Sequence, residues 1–462
     1  MRSNLAARLR DLGREAEASS ESGTVSAQGH ATLFQGIRGY EDTVLPEIEN
    51  AVLCGHHMVF LGERGQGKTR LIRSLIDLLD PWVPVVAGCE INDDPFAPVC
   101  ARCRRLAAEH GDSLAIDWLA REDRYGEKLA TPDVSIADLI GEIDPVKIAE
   151  GRYMSDAEAI HFGIVPRSNR GIFAINELPD LTEKVQVGLF NLMEERDLQI
   201  KGHKVRMPLD VVVVATANPE DYTSRGRIVT PLKDRFDVEI RTHYPRTMED
   251  EVAIALSEVG LERRPSDRLP VRLPDFMADI VARITMEARE AREISQESGV
   301  SVRVTINNLE TLIANAEKRA IVCDESEVVP RVTDLPALVA STRGKLEFEY
   351  GMQHGGELEI VERLVSRAIK ASFDARSAEI DAAPIVQYVS EGWGVAVSDT
   401  MPSAEYLAGI GSIPGMRGAL DALGPFESPG LMASAAEFLL EGLHLNEKLN
   451  RDREGGRFTY NA

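Results

Sequence analysis

The chain has 462 residues, 44% of them apolar and 27% charged, an ordinary globular composition with room for about three domains. Its 52 basic and 75 acidic residues leave a formal charge of −23, which counts against a nucleic-acid partner. No apolar run approaches bilayer-spanning length, MRSNLAARLRDLGREAEASSESG has no apolar signal core, and five cysteines are too few for a disulfide framework; no membrane insertion and a cytoplasmic location are expected.

Residues 1–35 read as a short Arg/Glu/Ala-rich helix followed by a flexible arm, SSESGTVSAQGH. From 36 to 246, apolar runs alternate with helical periodicity, which predicts an α/β unit: a mostly parallel sheet with helices on both faces. MVFL (58–61), IFAI (172–175) and VVVVAT (211–216) are its expected central strands, buried on both faces. The irregular, polar stretch 121–170 is long for one connection and reads as a functional insertion. Residues 247–345 form a helical domain, Gly344-Lys345 marks a break, and 346–462 are again mainly helical. The charged end, LNEKLNRDREGGRFTYNA, is expected to fray.

HHMVFLGERGQGKTRLIRSL, 56–75, sets an apolar run, a glycine loop and a helical pattern in succession, with Gly62, Gly67, Lys68 and Thr69 matching G-x-x-x-x-G-K-[ST]. The glycines let backbone N–H groups close around a phosphate at a helix N-terminus. Glu63, Arg64, Gly65, Gln66 and Arg70 complete this candidate ATP-binding loop, in which Lys68 can reach the β- and γ-phosphates and Thr69 can ligate Mg²⁺. A Gly-rich turn with an exposed lysine is the plainer reading, and the strand–loop–helix context argues against it. GIFAINELPDL puts Asn176 and Glu177 at a strand end, Glu177 as candidate base for the attacking water and Asn176 beside the metal. DLQIKGHKVRMPLD reads as a β-hairpin whose Lys201, Lys204 and Arg206 face either solvent or a partner. VVVVATAN ends in Asn218, which either reaches the γ-phosphate or caps a turn before Pro219. Thr230-Pro231 is expected to open a helix as N-cap and first residue, with Arg235 one turn in, free for a phosphate or engaged in an internal ion pair. Cys89, Cys100 and Cys103 make half of a zinc signature with no evident fourth ligand beyond His110; reduced, partly buried thiols are the favoured alternative.

Phosphate loop, acidic strand end, strand-terminal Asn and helix arginine come in the order that resembles an AAA+ ATPase. IRGYEDTVLPEIENAVLCG, LMEERDLQIKG…VATANPEDY, TPLKDRF and SVR resemble the corresponding segments of the magnesium chelatase ATPase (I) subunit and its MoxR-type relatives, over roughly 36–345. The resemblance implies a P-loop AAA+ core at 36–246 carrying helix-2 and pre-sensor hairpin insertions, and a helical lid at 247–345. It further implies a hexameric ring with ATP and Mg²⁺ at subunit interfaces and a von Willebrand factor A-domain partner. On the residues it implies Tyr40 on the adenine side, Glu177 as base, Asn218 as first sensor, Arg235 acting in trans and Arg303 in cis. Asn176 departs from the family's aspartate, and 346–462 exceeds a minimal chelatase subunit. The reading is therefore an ATP-hydrolysing ring that remodels or metallates a client. The alternatives are an enhancer-binding transcription activator, whose Gly-Ala-Phe-Thr-Gly-Ala loop is absent from the sequence, and a nucleotide-binding scaffold with little turnover.

Overall fold

A computed structural model describes residues 1–18, 33–143, 160–194, 198–200, 203–205, 207–219, 227–261, 269–295, 298–348, 356–398, 400–454 and 457–461. The arm SSESGTVSAQGH and the basic residues Lys201 and Arg206 lie outside them. The chain divides into two compact units, Met1–His243 and Tyr244–Ala462.

The first unit is built on five parallel strands: β1 (Met58–Leu61), β4 (Tyr125–Leu129), β7 (Gly171–Asn176), β10 (Val211–Ala217) and β11 (Val238–Arg241). Their spatial order is β11-β1-β10-β7-β4, so the sheet reverses direction of growth at β1. Apolar residues alternate between two cores, as a period-2 strand covered on both faces requires. Met58, Phe60, Ile172, Ala174 and Val214 face helices α1 (Arg2–Ala18) and α2 (Val44–Cys54) through Leu5, Val44, Leu45 and Ile48. Val59, Phe173, Ile175, Val213 and Ala215 enter the opposite core with Leu178, Leu189 and Leu232. Helix α3 (Lys68–Ser74) follows the glycine loop and buries Leu71 and Ile72 against the first face.

Three smaller antiparallel pairs hang from this sheet. They are β2 (Trp82–Val86) with β3 (Ile116–Ala120), β5 (Gly141–Ile143) with β6 (Ile160–Phe162), and the hairpin β8 (Leu198–Ile200) with β9 (His203–Val205). Between β2 and β3 runs a cysteine-bearing loop ending in α4 (Ala101–His110). One expectation needs correction. The 121–170 stretch is not wholly an insertion, because Tyr125–Leu129 forms the fifth strand, with Tyr125 opposite Ile172 and Leu129 opposite Asn176. An edge strand carries charge where a central one cannot, so YGEKL does not show the apolar run of its neighbours.

The second unit packs α5 (Asp275–Glu290), α6 (Arg303–Val322), α7 (Gly356–Asp374) and α8 (Pro429–Leu445) around one core running from Ala255 to Tyr460. The polar C-terminus does not fray. Strands β13 (Asn450–Glu454) and β14 (Arg457–Asn461) pair antiparallel, and β14 pairs with β12 (Val395–Ser398). Alternation in RFTYN carries the reason: Phe458 and Tyr460 point into the core while Arg457 is exposed and Thr459 and Asn461 are only partly buried. The Tyr460 hydroxyl donates to buried Glu441 at 2.7 Å, and Arg451 pairs with the same carboxylate, so the strand's polar groups are matched.

Candidate nucleotide site

The site forms where the carboxyl ends of β1, β10 and β7 meet, the crevice position expected at a switch point in an open parallel sheet. The loop's conformation depends on its glycines. A Cβ on Gly62 would lie 2.0 Å from Thr242 Oγ1 and 2.2 Å from Gln66 Oε1, and Gly67 holds φ +73, which side chains disfavour. The Gln66 carboxamide accepts from Thr242 Oγ1 at 2.7 Å, which clamps the loop's middle to the residue after β11. The hydroxyl of buried Tyr40 lies 2.6 Å from the Gln66 carbonyl and 2.7 Å from that of His243, and burial pushes its phenol above the usual range. Tyr40 thus ties the backbone of the loop to the end of the sheet.

Lys68, the first residue of α3, is buried. Its ammonium donates to the Gly62 carbonyl, to the Glu63 carbonyl at 2.7 Å and to Asn218 Oδ1 at 2.7 Å. The Thr69 hydroxyl faces Asn176 Oδ1 at 3.4 Å. The Asn176 amide in turn donates to Glu127 Oε1 at 2.6 Å. Glu127, on β4, also accepts from Arg73 at 3.0 and 3.1 Å and from the Tyr125 hydroxyl at 3.0 Å. Burial works to raise its pKa, but the hydrogen bonds from Arg73, Tyr125 and Asn176 outweigh it and hold the carboxyl below the ordinary range. A carboxylate therefore stands one strand away from where the sequence led us to look. An amide at 176 suits that neighbour, since it can donate to Glu127 where an ionised aspartate could not.

Glu177 follows β7 in a left-handed conformation, φ 58, and is half-buried. Its backbone N–H donates to Thr216 Oγ1 on β10 at 2.8 Å, which fixes the turn that presents its side chain. Arg64 and Arg70 are exposed, with the Arg70 guanidinium lying against Gly36.

Arg235 has a different setting. The helix it was expected to sit in covers only Thr230–Lys233, with Val229 rather than Thr230 as N-cap, so Arg235 falls just beyond its end. Its guanidinium pairs with Glu194, donates to the Pro231 carbonyl at 2.6 Å and lies 4.8 Å from the Phe190 ring centroid. Arg303 belongs to the second unit, where it is exposed as the first residue of α6.

Sequence reasoning brought Lys68, Thr69, Asn176 and Asn218 into one candidate site, and the structure pairs Lys68 with Asn218 and Thr69 with Asn176. It missed Glu127, Thr216 and Arg73. The alternation of Tyr125 and Glu127 on one side of YGEKL was the available signal for the first.

The residues present suit a nucleoside triphosphate and its metal: a cradle that a Cβ would fill, a buried lysine at a helix N-terminus, and a hydroxyl backed by an amide and a carboxylate. Sheet order, phosphate loop and helical second unit define the class as a protein with an AAA+ α/β core. Residues 115–236 match the AAA domain of the dynein-related subfamily. More particularly, the chain resembles the ATPase subunit of magnesium chelatase. It is 27% identical over 262 residues to magnesium-chelatase subunit ChlI of a Nostoc species, covering 55% of this chain and 66% of that one. The matches span from 47% to 78% of the curated relatives' own length. Among solved structures, the BchI–BchD complex of magnesium chelatase gives a TM-score of 0.36 at 21% identity, over 72% of this chain and 98% of that chain. NtrX of Brucella abortus with ATP gives 0.43 at 14% identity, over 72% of this chain and 62% of that chain. No helix among the described residues is long and apolar enough to cross a membrane.

Proposed function

We propose that this chain hydrolyses ATP within a homo-oligomeric, hexameric ring and uses the cycle to remodel or load a partner protein, as a magnesium chelatase-like ATPase. The observation that carries the reading is a pair of polar groups at the same end of the sheet, Asn218–Lys68–loop and Thr69–Asn176–Glu127, whose lysine and threonine are consecutive residues and whose Asn176 is followed directly by Glu177. Lys68 would exchange loop carbonyls for phosphate oxygens, and Asn218 holds it in line for that exchange. Thr69 and Asn176 would hold Mg²⁺ with its water, and Glu127 contributes the negative charge that position 176 lacks. Bound there, Mg²⁺ neutralises phosphate charge that would otherwise oppose attack. Glu177 orients and deprotonates the attacking water.

The finer roles rest on the resemblance. Arg235 reaches the phosphate of a neighbouring subunit, Arg303 closes over the same site from its own chain, residues 247–345 act as the moving lid, and an A-domain protein is the partner. The Asn176 amide also supports a second reading, a nucleotide-binding scaffold with little turnover.

Steady-state ATPase of the purified chain separates the two. Glu177→Gln is expected to lower kcat by about 100-fold or more while nucleotide still binds. Lys68→Ala is expected to lose binding itself, by roughly 100-fold. Wild-type turnover no faster than that of Lys68→Ala would favour the scaffold, and a Glu177→Gln chain of undiminished rate would remove the base assignment.

A further inference from the structure

The three cysteines outside the nucleotide site come together with a fourth group that the spacing did not reveal. Cys89, Asp93, Cys100 and Cys103 each direct one ligand atom to a common point, all four atoms lying within 4.8 Å of one another. His110, at the far end of α4, is not among them. Asp93 and Cys103 are fully buried, and Cys100 nearly so. A tetrahedral zinc with sulfur at about 2.3 Å sets its ligands about 3.8 Å apart, so the observed group needs only a small contraction to close on one.

The surroundings are arranged for sulfur as an acceptor. The Cys103 N–H donates to Cys100 Sγ at 3.2 Å in the first turn of α4, where the helix N-terminus favours negative charge. The Cys89 N–H donates to the Val86 carbonyl and the Val86 N–H to the Asp93 carbonyl, each at 3.0 Å, through a bend in which Asn92 adopts φ 56. Asp93 itself accepts from the N–H groups of Val99 and Cys100 at 3.2 and 2.9 Å, which orients its carboxylate and leaves lone pairs for a further ligand. Three sulfurs and one carboxylate oxygen sharing one centre are a donor set that suits zinc, which takes both thiolate and carboxylate ligands in closed four-coordinate sites.

We infer that Cys89, Asp93, Cys100 and Cys103 form a closed, four-coordinate structural zinc site that folds the loop between β2 and β3. Binding displaces the thiol protons to solvent, so three thiolates and one carboxylate surround Zn²⁺ with no open position for catalysis. The site braces the base of β7, the strand that ends in Asn176. Asn169 donates to the Ile91 carbonyl at 3.0 Å, Asn92 to the Arg167 carbonyl at 2.6 Å, and Arg170 to the Pro84 carbonyl at 2.6 Å. The metal is distinct from the Mg²⁺ of the nucleotide site and stands whether or not the chain hydrolyses ATP.

The test uses the full chain purified under reducing conditions with zinc supplied. Elemental analysis should find about one zinc per chain, retained in Cys54→Ser and Cys323→Ser and lost in Cys100→Ser and Cys103→Ser. Because those last variants can unfold, the wild-type chain is also stripped with a chelator and refilled with Co²⁺, which should give the intense thiolate-to-cobalt absorption of a tetrahedral site. Asp93→Asn should weaken zinc binding by at least about 10- to 100-fold. Chelation should lower the unfolding temperature, and zinc but not magnesium should restore it. Substoichiometric zinc with no cobalt absorption, or zinc affinity unchanged in Asp93→Asn, would overturn the assignment.

Discussion

Asn176 is where the chain departs from the pattern it resembles, and its neighbours give the departure a physical meaning. At 2.6 Å from Glu127 an aspartate would place two carboxylates in contact, whereas the amide donates a hydrogen bond to Glu127 and turns its oxygen to the Thr69 hydroxyl. Asn176→Asp is therefore expected to lower stability in metal-free buffer by about 1–3 kcal/mol and to regain most of it when Mg²⁺ is added. Thermal melts with and without MgCl₂ check this, and a loss that magnesium leaves untouched would mean that Glu127 does not serve the metal. Glu127→Gln should raise the Mg²⁺ concentration needed for half-maximal turnover by about tenfold. The folded pKa of Glu127 lies below its ordinary value of 4.5, so its contribution is complete above that pH and is lost as pH falls through the lowered value. The stability difference between wild type and Glu127→Gln should accordingly shrink on acidification below pH about 4.5 and stay level above it. Gly62→Ala tests the loop itself, since the added methyl meets Thr242 and Gln66 at distances no side chain tolerates. Nucleotide affinity should fall about 100-fold in a titration, with the fold retained in circular dichroism.

Elements decide how far such residues can act. Arg235 sits past the end of a four-residue helix, with its guanidinium committed to Glu194, Phe190 and the Pro231 carbonyl. Service in trans requires it to leave Glu194 for a neighbour's phosphate, an exchange of one charge-assisted partner for another. Arg235→Ala should lower turnover by about 10³-fold, and mixing with Lys68→Ala subunits should restore part of it. A monomer of full activity would remove the role in trans. At the other end of the chain, β14 replaces an expected frayed tail because Phe458 and Tyr460 complete the core of the second unit. Tyr460→Ala removes a buried ring and leaves Glu441 short of a donor, at a cost of about 3–5 kcal/mol in urea unfolding. Amide exchange across Arg457–Asn461 should be as slow as in α8; rapid exchange there would contradict a structural strand.

For the whole molecule, local sequence determined the α/β class, the phosphate loop and the three central strands. MVFL, IFAI and VVVVAT are buried on both faces, and strands of that kind must be apolar throughout, which makes them readable one at a time. Lys68, Thr69 and Glu177 were legible for a related reason, because each lies directly after such a strand or its glycine loop. Tertiary structure alone decided what depends on pairing between distant segments. The edge strand Tyr125–Leu129 and the C-terminal β13–β14 pair are half polar, so composition hid them until partners covered one face. Glu127 comes within reach of Asn176 only through the register of β4 on β7, and Asp93 joins the cysteines only because the chain bends back at Asn92. The sequence by itself thus specified the candidate phosphate loop, since that motif is contiguous. The folded chain decided that Glu127 meets Asn176 and that Asp93 joins the three cysteines, since those contacts join residues that only folding makes neighbours.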